Sequence, residues 1–275
     1  YKNYIFKIIF LQVMKLLAFL IRYILFYYKA IYSDITNSYE INTFIKKLKT
    51  TDLQNNTDCI KIEDLRTQLL NSEKEIQIND FGAGSNINIA SKRKIKDITR
   101  NSAKNQKFGE LLYQIVKLYQ PQIILELGTS LGISTCYLAT GNKKSKVITL
   151  EGCENTAGIA KNNFRRLNQK NITLILGDFK NTLQEELSKL KSIDLAFIDG
   201  NHQEKPTIEY FEKILKYSHE KTIFIFDDIH WSKGMEKAWK YIIQNQKVSL
   251  SIDLFFVGIV FIDQELQKSN SFMRL

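Results

Sequence analysis

The sequence predicts an α/β protein whose core is a mostly parallel β-sheet covered by helices on both faces. From residue 122 onward, apolar runs of strand length alternate with helical stretches. Apolar residues dominate both faces of these runs, which is typical of strands that are buried in a parallel sheet. The last two runs are separated by only two residues, and this spacing predicts a closing antiparallel hairpin.

Five of the runs are expected to be parallel strands that are connected by helices. The predicted strands are Ile123–Leu127, Lys146–Leu150, Thr173–Leu176, Leu195–Ile198 and Thr222–Phe226. The predicted helices are Ser134–Ala139, Thr156–Leu167, Thr182–Leu190, Thr207–Tyr217 and Lys233–Ile243. The hairpin strands follow at Ser249–Leu254 and Val257–Ile262.

The N-terminal part of the chain is expected to be helical and to divide into two regions. Residues 1–32 are almost entirely apolar, but no run reaches the ~20 residues that a membrane-spanning helix requires. On a helix, its basic residues share one narrow stripe, which contains Lys7, Lys15, Arg22 and Lys29. Besides a signal-like segment or a true membrane span, such an amphipathic helix has three open fates, namely peripheral contact with an anionic membrane, packing in a homodimer and packing on the main domain.

Residues 33–107 are expected to form a helical cap region, and residues 108–275 the main domain. The glycine-containing segment 80–85 precedes a basic stretch at 92–96. A turn of this kind next to basic residues could hold a phosphate, but the spacing matches no phosphate-binding loop. We therefore expect a solvated loop there.

Composition excludes several classes of protein. The 275 residues are 44% hydrophobic and 25% charged, which is typical of a globular protein. Three cysteines without C-x-x-C spacing make a disulfide scaffold or a cysteine zinc site unlikely, and a cytoplasmic location is expected. The net charge of +10 is concentrated in residues 1–110, which carry 18 basic and 11 acidic side chains. No arrangement of aromatic residues and arginines suited to nucleic acid accompanies this charge, so nucleic acid is not an expected partner.

Chemistry is expected at the loops that follow the strands, because ligands of parallel sheets bind at the carboxyl ends of the strands. The first loop runs from Glu126 to Gly132, with glycines that allow close backbone approach and a helix N-terminus for an anionic group. Glu151 follows the second strand, where a carboxylate can accept hydrogen bonds from both hydroxyls of a ribose. Asp178 and Phe179 follow the third strand and offer an acceptor for an adenine amino group and an aromatic wall.

The glycine spacing favours one class of cofactor over another. Dinucleotide sites require G-x-G-x-x-G, whereas this chain has E-x-G-x-x-x-G. Glu126 would repel a pyrophosphate but suits a cationic cofactor. A nicotinamide-dependent oxidoreductase is therefore disfavoured.

Taken together, the segments 124–134, 150–152, 177–179 and 197–202 resemble a class I S-adenosylmethionine-dependent methyltransferase, nearest to the catechol-type O-methyltransferases. The resemblance covers about residues 80–275 and implies a Rossmann-like, seven-stranded sheet. It also implies a set of residues around S-adenosylmethionine, namely Glu126, Gly128, Thr129, Ser130, Gly132, Ser134, Glu151, Gly152, Asp178, Phe179 and Asp199.

Three carboxylates are expected to converge where the fourth and fifth strands end. Asp199 follows one strand and Asp227 and Asp228 follow the other, so a hard cation such as Mg²⁺ could bind them. In the catechol-type enzymes the third ligand is Asn, where this chain has Asp228. The position of their catalytic lysine is occupied here by His202, whose imidazole could act as general base with Asp199 beside it.

The sequence thus predicts methyl transfer to an oxygen nucleophile. The acceptor is open among small-molecule, glycan and lipid-like hydroxyls. Two alternatives remain. One is a non-catalytic cofactor-binding or membrane-associated module, and the other is the nicotinamide-dependent oxidoreductase.

Overall fold

The structure is a computed structural model that describes residues 2–36, 39–49, 56–78, 91–102 and 105–274. The segment 80–85, predicted as a solvated turn, lies outside these residues. The N-terminal part consists of helices α1 (Lys2–Thr36), α2 (Tyr39–Lys49) and α3 (Thr57–Leu70), strands β1 (Glu75–Ile78) and β2 (Ser91–Lys94), and helices α4 (Ile95–Ser102) and α5 (Gln106–Tyr119).

Strands and helices then alternate up to the C-terminal strands. The elements are β3 (Ile123–Leu127), α6 (Ile133–Gly141), β4 (Lys146–Glu151), α7 (Glu154–Arg166), β5 (Ile172–Leu176), α8 (Phe179–Ser188), β6 (Ile193–Ile198), α9 (Glu204–Leu215), β7 (Ser218–Asp227), α10 (Lys233–Gln244), β8 (Leu250–Asp253), β9 (Val257–Phe261) and β10 (Ser269–Phe272).

These strands form one sheet in the order β10-β8-β9-β7-β6-β3-β4-β5. The five strands β3 to β7 are parallel, and β9 is antiparallel to both β7 and β8. The chain order reverses at β3, which lies between β4 and β6. In sheets with such a reversal, ligands usually bind outside the carboxyl ends of the two strands at which it occurs, which are β3 and β6 here.

The predicted parallel sheet and closing hairpin are confirmed, but the expected count of seven strands was wrong. The sheet has an eighth strand, β10, which pairs in parallel with β8 at the edge. Its sequence Ser-Asn-Ser-Phe contains no apolar run. The strand forms because the backbone of β8 is available at the edge, with Ser269 N donating to Ser249 O at 2.8 Å.

Two hydrophobic layers cover the two faces of the sheet. One layer contains α5, α6 and α7, with α2, α3 and α4 packed further out, and the other contains α8, α9 and α10. Apolar side chains of the parallel strands alternate between the two layers, so both faces of the sheet are buried. This burial explains why apolar residues dominate both faces of the strands, with the buried Glu126 and Thr149 as polar exceptions.

Helix α1 packs its C-terminal half on the end of the sheet that carries the hairpin. Phe26 and Ala30 are buried, and the Phe26 ring lies 5.3 Å from the ring of Phe255. Arg22 donates to the backbone oxygen of His230 at 3.2 Å, and its Nε lies 3.3 Å from Glu236 Oε1. Packing on the main domain, one of the three fates left open for this helix, is therefore realised for its C-terminal half.

The basic stripe predicted on this helix can be followed only in part. Lys29 Nζ lies 5.0 Å from the centre of the Phe272 ring, and Arg22 contacts the loop after β7. The side chains of Lys7 and Lys15 lie outside the described part of the chain. The two cations that are described thus both contact the protein's own surface.

Gly258 in β9 makes room for helix α10 on the sheet. A Cβ atom at this position would lie 2.5 Å from the ring of the buried Trp239. We expect Gly258→Ala to lower the free energy of unfolding by about 1 to 3 kcal/mol, because the indole has no free space into which it can move. Urea denaturation measures this change.

Gly158→Ala is the matched control for this substitution. Gly158 lies in α7 with nothing within 4 Å of an added Cβ. A gain of about 0.5 to 1 kcal/mol is expected, because alanine favours a helix over glycine. Equal effects of the two substitutions would contradict the role of Gly258.

Candidate active site

The loops after β3 and β6 cross each other at the carboxyl edge of the sheet. Gly128 has a φ of +103°, and a Cβ there would lie 2.0 Å from the backbone oxygen of Asp199. Gly128 N donates to Leu150 O at 3.0 Å, and Asp199 N donates to Leu127 O at 2.9 Å. Only glycine allows this crossing, which fixes the first loop against the second and fourth.

The rest of the first loop leads into helix α6. Gly132 begins the helix with a φ of +85°, and a Cβ there would lie 2.5 Å from the Phe164 ring. Thr129 is buried, whereas Ser130 and Ser134 are half-buried at the surface of the loop. Ser130 Oγ lies 2.9 Å from Ser102 Oγ, so the end of α4 also contacts this loop.

Glu126, predicted to lie at the cofactor, is fully buried behind the loop. Its Oε2 accepts hydrogen bonds from Thr135 at 2.5 Å and Thr149 at 2.6 Å, while its Oε1 has no hydrogen-bond partner among the described residues. Burial raises the pKa of this carboxyl to about 7. The side chain has no exposed surface, so it supports the loop from the protein interior and does not line the surface at which a ligand would bind.

Glu151, by contrast, lies half-buried at the end of β4 and joins two loops. Its Oε2 accepts from Ser130 N at 2.7 Å and its Oε1 from Cys153 N at 2.8 Å. Burial raises the pKa of this carboxyl, and the backbone hydrogen bonds oppose that rise. Gly152, beside it, is half-buried as well. The carboxylate is therefore held in a fixed position at the carboxyl edge of the sheet.

Asp178 and Phe179 form the next part of the edge. Asp178 Oδ1 accepts from Lys180 N at 2.9 Å and so caps helix α8. The Phe179 ring meets the Tyr210 ring edge-on, with centres 5.9 Å apart. A Cβ on Gly200 would lie 2.6 Å from this phenylalanine, so the third and fourth loops are in contact.

Sequence reasoning missed two polar residues beside this contact. Asn201 Nδ2 lies 3.4 Å from the hydroxyl of Tyr210, and the buried Asn201 Oδ1 has no hydrogen-bond partner among the described residues. Burial raises the pKa of Tyr210, and the charge of Asp178 adds to this rise. Tyr210 lies on a helix, and its helical spacing gave no signal beyond that of a core residue.

Asp199, His202 and Asp227 come together where β6 and β7 end. Each offers one ligand atom, and these atoms lie within 4.8 Å of one another. His202 Nε2 lies 3.5 Å from Asp199 Oδ1, and Asp227 is only 2% exposed. Positive φ angles at Asn201 and His202 turn the loop back on itself and bring the imidazole to the carboxylates.

Asp228, the third carboxylate predicted as a ligand, stands outside this group of described residues. Its backbone is turned, with a φ of +52°, and its N–H donates to Phe256 O at 2.7 Å. The loop after β7 therefore contacts the hairpin, and the side chain that lies close to Asp199 and Asp227 is His202 and not Asp228.

His230 follows in the same loop and is also bound to its neighbours. Its Nε2 lies 2.8 Å from the buried Asp253, its Nδ1 3.4 Å from Glu236, and its ring stacks on Phe255. Burial opposes protonation, but the two carboxylates outweigh it and raise the pKa of this imidazole. Together with Arg22, these contacts connect α1 to the loop that carries Asp227 and Asp228.

Comparison with known families identifies the central part of this fold. Residues 125–229, which span β3 to the loop after β7, match a family model described as a methyltransferase domain. This part of the chain is therefore similar to a methyltransferase domain. Among the described residues, no helix is both long enough and apolar enough to cross a membrane.

A catechol O-methyltransferase from Niastella koreensis is 30% identical to this chain over 124 residues. The match covers 44% of this chain and 55% of that relative, so the chain spans about half the length of the relative. Two solved structures share the fold. An O-methyltransferase from Bacillus cereus in complex with SAH has a TM-score of 0.52 at 21% identity, over 81% of this chain and 97% of the other. An SAH-bound methyltransferase from Podospora anserina has a TM-score of 0.57 at 13% identity, over 82% and 96%.

The buried Glu126 should make stability depend on pH. Its pKa is 4.5 in the unfolded chain and about 7 when folded, so the folded state binds more protons between these values. The free energy of unfolding should therefore fall as pH rises from about 4.5 through 7. Glu126→Gln cannot ionise, and we expect it to be more stable than the unmodified protein at pH 8, by about 1 to 3 kcal/mol.

Urea denaturation at pH 5 and pH 8 measures this difference, with the exposed Glu209→Gln as control. The control should keep the pH dependence of the unmodified protein. If the free energy of unfolding changed with pH in the same way in Glu126→Gln and in the unmodified protein, the account of Glu126 would be contradicted.

Proposed function

We propose that the methyltransferase domain binds S-adenosylmethionine and transfers its methyl group to a hydroxyl oxygen of a small molecule. The observation that carries this proposal is the grouping of Asp199, His202 and Asp227 at the same strand edge as the glycine loop and Glu151. The 30% identity to a catechol O-methyltransferase supports a hydroxyl acceptor. Glycan and lipid-like hydroxyls remain in the acceptor panel for the test.

The cofactor is expected to lie across the first three loops. The loop from Gly128 to Gly132, which packs on Asp199 and Phe164, would face the methionine part, with Thr129, Ser130 and Ser134 around it. Glu151 accepts hydrogen bonds from the ribose, because a fixed carboxylate is a good acceptor for two neighbouring hydroxyls.

The adenine is assigned to the third loop. Phe179 provides an aromatic face there, and Asp178 lies beside it. Gly152 and the backbone of Asp199 complete the edge between the ribose and the acceptor. Asp199 thereby belongs to both parts of the site.

The donor set at the acceptor side fits a divalent cation. Two carboxylates and an imidazole within 4.8 Å of one another are a common ligand combination, and carboxylates alone suit Mg²⁺. Asp199 and Asp227 would hold the ion, with Asp228 nearby but outside the group. A bound cation would lower the pKa of a hydroxyl that approaches it and orient that hydroxyl.

His202 is assigned the role of general base. The acceptor oxygen attacks the methyl carbon, the bond from that carbon to sulfur breaks, and S-adenosylhomocysteine leaves. The hydroxyl proton passes to the imidazole of His202. Asp199 Oδ1 lies 3.5 Å from His202 Nε2, so this carboxylate stabilises the positive charge that the imidazole gains.

Glu151→Gln should weaken binding of the cofactor product. Loss of the negative charge weakens hydrogen bonds from the ribose, and a roughly 10- to 100-fold rise in Kd for S-adenosylhomocysteine is expected. Calorimetric titration measures it. Glu154→Gln, in an exposed position of the neighbouring helix, is the control and should bind normally. An unchanged Kd for S-adenosylhomocysteine in Glu151→Gln would contradict the proposed hydrogen bonds between Glu151 and the ribose.

His202→Gln and Asp227→Asn should separate base catalysis from ion binding. Both are expected to lower methyl transfer to a catechol roughly 100-fold or more, with S-adenosylhomocysteine still bound. Electron paramagnetic resonance of Mn²⁺ should show that binding of the ion is retained in His202→Gln and weakened in Asp227→Asn. Asp263→Asn is the control and should bind Mn²⁺ normally.

Three results would contradict parts of this account. Full transfer in the presence of EDTA would remove the ion from the mechanism. Loss of Mn²⁺ in His202→Gln would make the imidazole a ligand instead of a base. Transfer to none of the catechol, sugar and lipid hydroxyls, with cofactor bound, would favour a non-catalytic module.

A further inference from the structure

One face of helix α1 is apolar along most of its length and lies open. Seven side chains form a continuous row, which we call the α1 seam, and each is between 39% and 69% exposed. They are Phe10, Met14, Leu17, Ile21, Ile24, Tyr28 and Ile31. This row is about 30 Å long at the rise of an α-helix. Soluble proteins rarely expose an apolar surface of this extent unless something covers it.

The domain itself does not cover the α1 seam. Phe26 and Ala30 pack on the hairpin from the opposite side of the helix, and both are buried. At 100° per residue they lie about half a turn away from Leu17, Ile21 and Ile24. The helix thus has one face on its own domain and the other directed away from it.

The spacing of the α1 seam is that of a helix that packs on another helix. Successive members are separated by four, three, four, three, four and three residues. This is the 3.5-residue repeat by which side chains of one helix fit between those of a partner helix over several turns. Flanking positions such as Val13, Leu20 and Leu25 are apolar and exposed too, which widens the face to that of a bundle helix.

The charges around the α1 seam argue against an anionic membrane as the partner. Helices that lie on such membranes present basic side chains beside the apolar face. Here Arg22 is paired with Glu236 and the His230 carbonyl, and Lys29 lies over the Phe272 ring. Both described cations of the stripe are therefore in use within the protein, and the α1 seam itself contains no charged residue.

The exposed area is sufficient for a stable dimer. Together, the α1 seam and its apolar flanks offer roughly 1,000 Å² per chain, against the ~800 Å² that each partner contributes to an interface of standard size. A two-fold axis lets the same face serve both copies, because an isologous interface is complementary to itself.

We propose that a second copy of this chain covers the α1 seam, so that two chains associate through their first helices.

Sedimentation equilibrium of the full chain tests this proposal. We expect a self-associating protein whose Kd rises roughly 100-fold or more in the double variant Leu17→Glu/Ile24→Glu, because carboxylates would be buried without partners. The matched control is Ile60→Glu/Leu176→Glu, which places the same charges on exposed apolar positions of α3 and β5. The control should associate normally.

A cross-linking experiment covers the case in which the double variant does not fold. All three native cysteines are buried, so a single Ile21→Cys substitution supplies the reactive thiol. A bismaleimide with a flexible spacer should join two chains at that position. Ile60→Cys is the control and should remain a single chain.

Three outcomes would overturn the proposal. The first is a monomer at micromolar concentration that does not cross-link through Ile21→Cys. The second is a dimer that both double variants preserve, because it would use another surface. The third is a monomer that floats with vesicles of phosphatidylcholine and phosphatidylglycerol and loses flotation in Leu17→Glu/Ile24→Glu, which would assign the α1 seam to lipid.

Discussion

The site depends on the crossing of two backbones at the carboxyl edge of the sheet. Gly128 passes over the carbonyl of Asp199 at a distance that leaves no room for any side chain. Because both residues directly follow neighbouring strands, β3 and β6, the crossing joins the loop after β3 to the loop after β6. A shift of one loop would displace the other, so the proposed cofactor and acceptor positions would be coupled through the backbone.

Four of the carboxylates at this edge have three different environments. Glu126 is enclosed with two threonine hydroxyls, and its pKa near 7 keeps much of it neutral at physiological pH. Glu151 is half-buried at the end of β4, where the backbone N–H groups of Ser130 and Cys153 donate hydrogen bonds to it. Asp199 and Asp227 face His202, and their shared negative charge makes a cation at this point favourable.

Much of this arrangement could be predicted from the sequence because parallel strands end at a common edge. Ile123–Leu127 was predicted with its observed bounds, and the convergence of Asp199 with Asp227 follows from strand order alone. The burial of Glu126 could not be predicted, since it depends on Thr135 and Thr149, which meet it only in three dimensions. The return of His202 to the carboxylates depends on positive φ angles, which apolar periodicity does not encode.

The N-terminal and C-terminal ends were harder to predict for a related reason. Strand β10 is polar and forms only because β8 offers a free edge. The face that α1 turns to the domain is decided by Phe255 and Phe272, which lie more than 200 residues further along the chain. Local pattern defines such a helix, but its partner is set by tertiary contacts.

Calorimetric titration with S-adenosylmethionine, and with NADH as control, tests the central claim most directly. The account predicts binding of S-adenosylmethionine at one site per chain with a Kd in about the micromolar range, and no binding of NADH. Binding of NADH without S-adenosylmethionine would contradict the claim and revive the oxidoreductase interpretation. Binding of neither would mean that the carboxylates at the strand ends serve the fold alone.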